Sequence, residues 1–233
     1  MVLIMDCVQC LPKHCRTTDS CGAEKFETDQ IISDYKESVN QQVVQISAAL
    51  VDGGRAGTLS RLDEIIEFVD AFNIDLKAFN DKFYSVLTGA KLEPVKNSLK
   101  QIARSGRHLE ITTLIIPGQN DDEQEMKLET AWIADELGKD VPFHLSKYFP
   151  TYKRDNPSTP EGTLEKLYDI ASENLDYVYM GNTRSVKGQN TLCNACGTEV
   201  TIRSGYNTKL INLDEDGKCT ECGNQIYKNF TFS

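Results

Sequence analysis

Eight cysteines, arranged in two groups, are the residues of this sequence best suited to chemistry. The first group lies near the amino terminus and comprises Cys7, Cys10, Cys15 and Cys21. The second lies near the carboxyl terminus and comprises Cys193, Cys196, Cys219 and Cys222. The 171 residues between the groups contain no cysteine. Because closely spaced thiolates are typical metal ligands, the pattern predicts two metal sites on either side of a cysteine-free body.

The carboxyl-terminal group has the spacing of a zinc ribbon. Two C-x2-C pairs are separated by 22 residues, and each pair runs directly into a glycine, Gly197 or Gly223. The segment VTIRSGYNTKLINL between the pairs reads as a β-hairpin. Four thiolates close a tetrahedral shell and leave no position for water, so the spacing predicts a structural zinc site. A single iron held by the same four thiolates is the chemical alternative.

The amino-terminal group is less regular. Its intervals are C-x2-C, C-x4-C and C-x5-C, and His14 offers a substitute ligand. Zinc and an iron-sulfur cluster are both compatible with these thiols. The polar residues between them supply no apolar support, so an unligated segment is the third interpretation.

Composition limits the partners of the protein. The chain has 233 residues, 39% of them hydrophobic, a formal net charge of -10 and a pI near 4.9. This charge argues against a nucleic acid or an anionic membrane as partner. The apolar run MVLIM at the start is too short for a signal peptide or a membrane span. We therefore expect a cytoplasmic protein, in whose reducing environment cysteines stay free to bind metals.

The body between the cysteine groups alternates between strand and helix patterns. Helices are predicted at TLSRLDEIIEFVD, LEPVKNSLKQIARSG, NDDEQEMKLETAWIADELG and GTLEKLYDIASEN, and strands at FNIDL, ITTLII, PFHLSKY and YVYMG. QQVVQIS adds a possible fifth strand. The alternation predicts an α/β fold with a parallel sheet, either doubly wound or a piece of a barrel. His144, alone on an apolar strand, is interpreted as a core residue.

Two strand ends carry candidate binding residues, because parallel sheets place their chemistry at the carboxyl ends of strands. Asp75 and Lys77 lie where FNIDL runs into DLKAFN, and the ammonium could take a ligand carboxylate and the carboxylate a ligand amine. A salt bridge between the two is the simpler alternative. Pro117 and Gly118 end ITTLII in a sharp turn, and residues 120–122 are suited to cap the next helix.

The order of these motifs resembles that of a known enzyme family. NIDLKAFNDKFYSVLTGAKLEPV followed by LEITTLIIPGQNDDEQEM is similar to radical S-adenosylmethionine (SAM) enzymes that activate glycyl-radical enzymes. FHLSKYFPTYK, STPEGTLEKL, YVYMGN, TLCNACG and GKCTECGNQI resemble the radical SAM enzyme of the AmmeMemoRadiSam system. The resemblance spans about residues 58–226. It implies reductive cleavage of SAM at a 4Fe-4S cluster to a 5'-deoxyadenosyl radical. Asp75 and Lys77 would face the methionine part of SAM, and the Ile116–Gly118 turn its nucleoside.

The sequence also departs from this family. The C-x3-C-x2-C loop that holds the cluster is absent, and only about fifty residues separate Cys21 from FNIDL, against roughly 250 for a whole (β/α)8 barrel. We therefore expect a cysteine-rich segment at 1–25, a partial TIM-type (β/α) barrel with parallel strands at 26–188, and a zinc ribbon at 189–233.

Three functions remain open from the sequence. The chain is a radical SAM enzyme of unknown substrate, a catalytically inactive partial barrel acting as a binding or assembly module, or a zinc-ribbon scaffold without a small-molecule site. A partial barrel is expected to expose sheet edges and apolar faces. We therefore expect self-association, or binding to other proteins of such a system.

Overall fold

The computed structural model describes residues 43–46, 62–63, 65–151, 155–205 and 207–228. The parallel sheet and its helices comprise β1 (Val43–Ile46), β2 (Ala71–Asp75), α1 (Asp81–Phe83), a π-helical turn (Tyr84–Thr88), α2 (Leu92–Arg104), β3 (His108–Ile115), α3 (Glu123–Glu136), β4 (Phe143–Lys147), α4 (Glu161–Ser172) and β5 (Val178–Gly181). A second sheet comprises β6 (Thr191–Leu192), β7 (Glu199–Ser204) and β8 (Asn207–Leu210).

The five strands of the first sheet pair in the order of the sequence. Each of β1 to β4 pairs in parallel with the next strand along the chain. From β2 to β5 helices connect the strands, which is the arrangement of a (β/α) barrel opened along one side. The predicted fold class is confirmed, and the segment QQVVQIS does supply a strand.

One face of the sheet packs against the helices and forms the main apolar core. It carries the fully buried side chains of Ile74, Ile111, Phe143 and Leu145, together with Phe72. Helices α2 and α4 contact strands of this sheet. Each such buried side chain contributes about 1.5–3 kcal/mol relative to its exposed state. Because the helices bury one side against this face, their apolar residues recur at the helical spacing from which they were predicted.

The opposite face, here called the inner face, is mostly polar. Its residues alternate with those of the apolar face along each strand. The polar ones are Asn73, Asp75, His108, Glu110, Thr112, His144, Ser146 and Tyr179, and Ala71 and Leu114 are apolar. The sequence analysis expected an exposed apolar face, but the described strands turn mostly polar side chains to this side. The expectation of self-association or of a partner protein stays a prediction.

The second sheet is antiparallel and lies against the amino-terminal ends of β4 and β5. Strands β7 and β8 form the predicted hairpin, with β6 beside β7. Asn194 donates a hydrogen bond to Asp176 (2.8 Å), and the ammonium of Lys228 lies 2.8 Å from Asp140. The ribbon therefore lies at the end of the sheet opposite to Asp75 and Lys77.

The segment that leads into the ribbon runs along β5. The amide of Met180 donates to the carbonyl of Gly188 (2.9 Å), and the side-chain amide of Gln189 donates to the carbonyl of Met180 (2.7 Å). These bonds occupy backbone groups that an edge strand would otherwise expose.

Among the described residues, no helix has the length and apolar character needed to cross a bilayer.

Candidate functional site

Asp75 and Lys77 form an ion pair at the carboxyl end of β2. The ammonium of Lys77 lies 2.6 Å from a carboxylate oxygen of Asp75, and both side chains are largely buried, with 23% and 12% exposed. The backbone amide of Lys77 donates to the hydroxyl of Tyr84 (3.1 Å). The salt bridge considered in the sequence analysis is therefore present. It also keeps a cation and an anion together at the edge where a zwitterionic ligand would bind.

The turn after β3 lies at the same edge of the sheet. Gly118 has a positive φ of 72°, which favours glycine, and its amide donates to a carboxylate oxygen of Asp121 (2.7 Å). The side chain of Asn156 donates to the carbonyl of Pro117 (3.1 Å). The turn is thus fixed by side chains on both sides.

Asn120 joins the two strand ends. Its side-chain oxygen accepts a hydrogen bond from the amide of Ile116 (2.7 Å), and its nitrogen donates to the carbonyls of Lys77 (2.7 Å) and Leu114 (2.8 Å). The sequence analysis offered residues 120–122 as caps of the next helix, and Asp122 does cap α3, by accepting from the amide of Glu125 (2.9 Å). Through these three hydrogen bonds, Asn120 ties the backbone at Lys77 to the Ile116–Gly118 turn.

A second polar cluster on the inner face centres on Glu110. Its two carboxylate oxygens each lie 3.0 Å from a histidine Nε2, one from His108 and the other from His144, and Asn73 donates to it at 3.4 Å. Burial opposes ionisation of Glu110, but the hydrogen bonds from the two histidines outweigh it and hold its pKa well below the usual range. Glu110 is therefore an ionised carboxylate in a nearly buried position.

The sequence analysis missed this cluster because it began the strand at Ile111. The structure extends β3 back to His108, so that His108, Glu110 and Thr112 alternate with apolar residues. Alternation of this kind marks a strand with one polar face. His144 is buried, as the interpretation of a core residue requires, but its ring lies on the inner face beside Glu110 rather than among the apolar side chains.

Ser146 lies two residues beyond His144 on the same face of β4. Its hydroxyl is buried and has no hydrogen-bond partner. On the neighbouring strand stands Gly181, where an added Cβ would come within 2.9 Å of the Ser146 oxygen. The Ser146 hydroxyl thus occupies the space that a side chain at position 181 would need, which explains the glycine there.

The four carboxyl-terminal cysteines converge as predicted. Their sulfur atoms all lie within 4.8 Å of one another. The shorter approaches join Cys193 to Cys222 (3.5 Å) and Cys196 to Cys219 (3.7 Å). Within the described part of the chain, this is the one group of thiol, imidazole or carboxylate side chains close enough to share a metal ion.

The two cysteine pairs have the same local backbone. In each pair the amide of the following glycine donates to the carbonyl of the first cysteine at 2.8 Å, from Gly197 to Cys193 and from Gly223 to Cys219. Hydrogen bonds with Thr198 lower the pKa of Cys196, whereas the pKa of Cys222 is raised beside the other cysteines, so the four thiols are not all ionised without a metal. A thiolate is the form that binds a metal, so the site fits a tetrahedral ion held by four sulfurs. The amino-terminal group, Cys7, Cys10, Cys15 and Cys21, lies outside the described residues.

The described residues fit SAM and a 4Fe-4S cluster differently. At the sheet edge, the Asp75–Lys77 pair offers opposite charges to a small zwitterionic molecule. For the cluster, the described part of the chain holds no thiols beyond the four of the ribbon, at the opposite end of the sheet. The residues there therefore fit SAM, whereas they provide no ligands for the cluster.

Comparison with known proteins identifies one curated relative. A scan against models of known protein families finds no match. An uncharacterised protein of Methanocaldococcus jannaschii is 42% identical over 161 residues, which are 68% of this chain and 48% of that protein. The chain thus spans about half the length of the curated relative it matches.

Solved structures with the same fold include radical SAM enzymes. A domain of the pyruvate-formate lyase-activating enzyme from Bacteroides vulgatus is similar at a TM-score of 0.55 with 19% identity, over 69% of this chain and 95% of that one. A radical SAM methyltransferase from Sphaerobacter thermophilus is similar at a TM-score of 0.50 with 16% identity, over 66% of this chain and 43% of that one. At these identities the likeness shows the fold. The chain has the partial-barrel fold that radical SAM enzymes also have.

Proposed function

We propose that the chain is part of a radical SAM enzyme of the AmmeMemoRadiSam type, acting on a substrate still to be identified. The observation that carries the proposal is the single edge formed by the Asp75–Lys77 pair and the Ile116–Gly118 turn, which Asn120 holds together. These are the segments whose sequence resembles the family, and the fold is one that radical SAM enzymes share.

Each residue of the edge has a role in this proposal. Lys77 binds the carboxylate of the methionine part of SAM, and Asp75 binds its ammonium. The backbone at Pro117 and Gly118 lies beside the nucleoside. On binding, the ion pair between Asp75 and Lys77 is exchanged for two charge-assisted contacts with SAM. The two side chains are already largely buried in the free chain, so binding adds little desolvation cost.

The iron-sulfur cluster must obtain its ligands elsewhere. When bound, a 4Fe-4S cluster supplies the electron that cleaves SAM to a 5'-deoxyadenosyl radical. Its three thiolates would come from the group Cys7, Cys10, Cys15 and Cys21, or from a separate polypeptide. We propose zinc for the ribbon cysteines, since the four-thiolate shell has no open position.

The alternative is a catalytically inactive partial barrel that acts as a binding or assembly module. The absence of C-x3-C-x2-C from the sequence favours it. Both proposals keep the metal ribbon, and the inactive module differs in lacking reductive cleavage of SAM.

The test is SAM binding and cluster formation by the full chain. After anaerobic reconstitution with iron and sulfide, metals and acid-labile sulfide are quantified, and the electron paramagnetic resonance spectrum of the reduced protein is recorded with and without SAM. A cluster signal that shifts on addition of SAM supports the enzyme. SAM binding without labile sulfide supports the inactive module. If SAM does not bind, the edge is not a SAM site in either proposal.

The ion pair gives a matched set of variants for equilibrium dialysis with SAM. We expect Asp75→Asn and Lys77→Gln each to weaken binding by about tenfold or more, because each removes a contact between opposite charges. Asp169→Asn and Lys187→Gln break an ion pair on α4 and the segment after β5, away from the edge, and should leave the affinity unchanged. Equal losses in both sets would show a general effect of charge instead of a site.

A further inference from the structure

A cleft lies between the last strand of the parallel sheet and the metal ribbon. On the sheet side it is lined by Tyr168 and Ser172 of α4 and by residues 175–179. On the ribbon side it is lined by residues 190–192 and by Asn194. Its volume is about 240 Å³, slightly less than that of a pocket for a drug-sized molecule. The cleft therefore has room for a small organic molecule.

The charge of the cleft is set by Asp176. No lysine, arginine or histidine is among the described residues that line it. Asn194 donates a hydrogen bond to one carboxylate oxygen of Asp176 (2.8 Å), while the other oxygen has no hydrogen-bond partner among the described residues. A carboxylate oxygen accepts hydrogen bonds and does not donate them. The cleft thus offers an anionic acceptor, which attracts cations and repels anions.

Tyr177 offers a second unused group. Its hydroxyl has no hydrogen-bond partner in the part of the chain that the structure describes. Burial raises the pKa of Tyr177, and the nearby side chains of Tyr179, Asp176 and Cys193 raise it further. The hydroxyl is therefore protonated at neutral pH and lies within electrostatic reach of Asp176. Its oxygen can accept a hydrogen bond from a ligand that also contacts Asp176.

The tyrosines on either side of Tyr177 in the cleft hold cations of the chain itself. The ammonium of Lys187 lies 5.3 Å from the ring centroid of Tyr168, and the guanidinium of Arg203 lies 5.0 Å from that of Tyr179. Such contacts are attractive because the face of an aromatic ring carries partial negative charge. No cation of the described residues lies over the ring of Tyr177, so this ring is available to a cation of a ligand.

Leu192 adds an apolar surface to the cleft. This residue of β6 lines the ribbon side, and it is 50% exposed. Covering an exposed leucine with an apolar group of a ligand is favourable, because it removes apolar surface from water. The cleft therefore combines an anionic acceptor, a neutral acceptor and an apolar surface.

We propose that this cleft binds a small primary ammonium ion that carries a short apolar chain. The ammonium donates to the free oxygen of Asp176 and to the hydroxyl oxygen of Tyr177, and the chain packs on Leu192. A primary ammonium fits better than a quaternary one, because both acceptors require an N–H donor. The site lies at the ribbon end of the sheet, opposite to the Asp75–Lys77 pair, so the proposal does not depend on SAM binding.

Butylammonium is the probe of the cleft, and 1-butanol, which has a similar chain without the charge, is its matched control. The full chain is labelled with ¹³C in the rings of its nine tyrosines, and Tyr177→Phe identifies the signal of Tyr177. We expect butylammonium chloride, at constant ionic strength, to shift this signal saturably. Neither 1-butanol nor butyltrimethylammonium, which has no N–H group, should shift it to a similar extent at the same concentration.

Three variants test the contacts by saturation-transfer NMR of the probe's own signals. Asp176→Asn should weaken butylammonium binding by about tenfold or more, because it removes the opposite charge. Tyr177→Phe removes no hydrogen bond within the described chain, so it should fold normally and bind about two- to tenfold more weakly. Asp155→Asn, at an exposed position beside Asn156 at the other end of the sheet, should leave the affinity unchanged.

Several results would contradict the site. Equal shifts of Tyr177 with butylammonium and 1-butanol would show a contact through the apolar chain alone, and equal shifts with butyltrimethylammonium would show that no N–H contact is made. Equal losses in Asp176→Asn and Asp155→Asn would show attraction to the net charge of the protein, and the absence of a saturable shift would show that the cleft takes no ammonium ligand. None of these measurements involves SAM or a cluster, so failure here is distinguishable from failure of the proposed enzyme function.

Discussion

Glu129, a carboxylic acid on α3, is buried against the apolar side of the sheet. The hydroxyl oxygen of Thr113 lies 2.9 Å from Glu129 Oε1 and 2.7 Å from the carbonyl oxygen of Leu76. A hydroxyl has a single hydrogen, which it can give to one of these acceptors. A protonated Glu129 can donate to Thr113, which then donates to Leu76, so that each oxygen is satisfied. Consistent with this, burial raises the pKa of Glu129 to about 8.

This raised pKa makes the free energy of unfolding depend on pH. Between the unfolded value of about 4.5 and the folded value of about 8, the folded chain holds a proton that the unfolded chain has lost. Stability therefore falls as pH rises through this interval, by on the order of 3 kcal/mol from pH 5 to pH 7. We expect Glu129→Gln, which stays neutral, to remove most of this dependence.

The measurement is urea unfolding of both chains at several pH values. Glu173→Gln is the control, since it changes the same side chain at an exposed position and should keep the slope of the unaltered protein. A flat profile for the unaltered chain between pH 5 and pH 8 would show that Glu129 is ionised in the folded state.

Among the helices, strands and turns, features that depend on short segments were predicted from the sequence, whereas contacts between distant residues were not. The apolar spacing of α2, with Val95, Leu99 and Ile102 buried, and the breaks after β3 and α3 are all properties of short segments. The role of Asn120 depends instead on a carbonyl 43 residues away. Likewise, Glu110 and His144 meet only through the register of β3 with β4. Such contacts leave no local periodicity, so sequence reasoning named Asn120 and His144 without these contacts and did not single out Glu110.

Gly188, in the segment along β5, gives a test at this scale. Gly188 has a φ of 65°, and an added Cβ would lie 2.8 Å from the ring of Tyr168 and 3.1 Å from the backbone nitrogen of Met180. We expect Gly188→Ala to lower the free energy of unfolding by about 1–3 kcal/mol, because both the backbone and the packing would be strained.

Gly162 provides the opposite case. It lies in α4, where an added Cβ meets nothing within 4 Å. Gly162→Ala should raise the free energy of unfolding by about 0.5–1 kcal/mol, since alanine favours a helix. Thermal and urea unfolding compare the two variants. If Gly188→Ala did not lower the free energy of unfolding, the segment at Gly188 would not be packed against β5 as described.

For the whole molecule, the metal ribbon and the candidate ligand edge lie at opposite ends of one sheet. We expect Cys193→Ser combined with Cys219→Ser to lose about one metal ion per chain, as a four-thiolate site requires. The sheet has its own apolar core, so its circular dichroism and its affinity for SAM should persist. Metal analysis by mass spectrometry checks the first expectation, with Thr208→Ser on β8 as control. Unfolding of the entire chain in the double variant would show that the ribbon is integral to the core.

The sequential strand order also determines what can form while the chain is being synthesised. Each strand from β2 to β5 pairs with the one made just before it, so the sheet can grow strand by strand as the polypeptide leaves the ribosome. All four ribbon cysteines are translated after the last of these strands. A metal bound by these cysteines is therefore needed only after β5 has been made, and a chain deprived of metal would have a formed parallel sheet and an open ribbon.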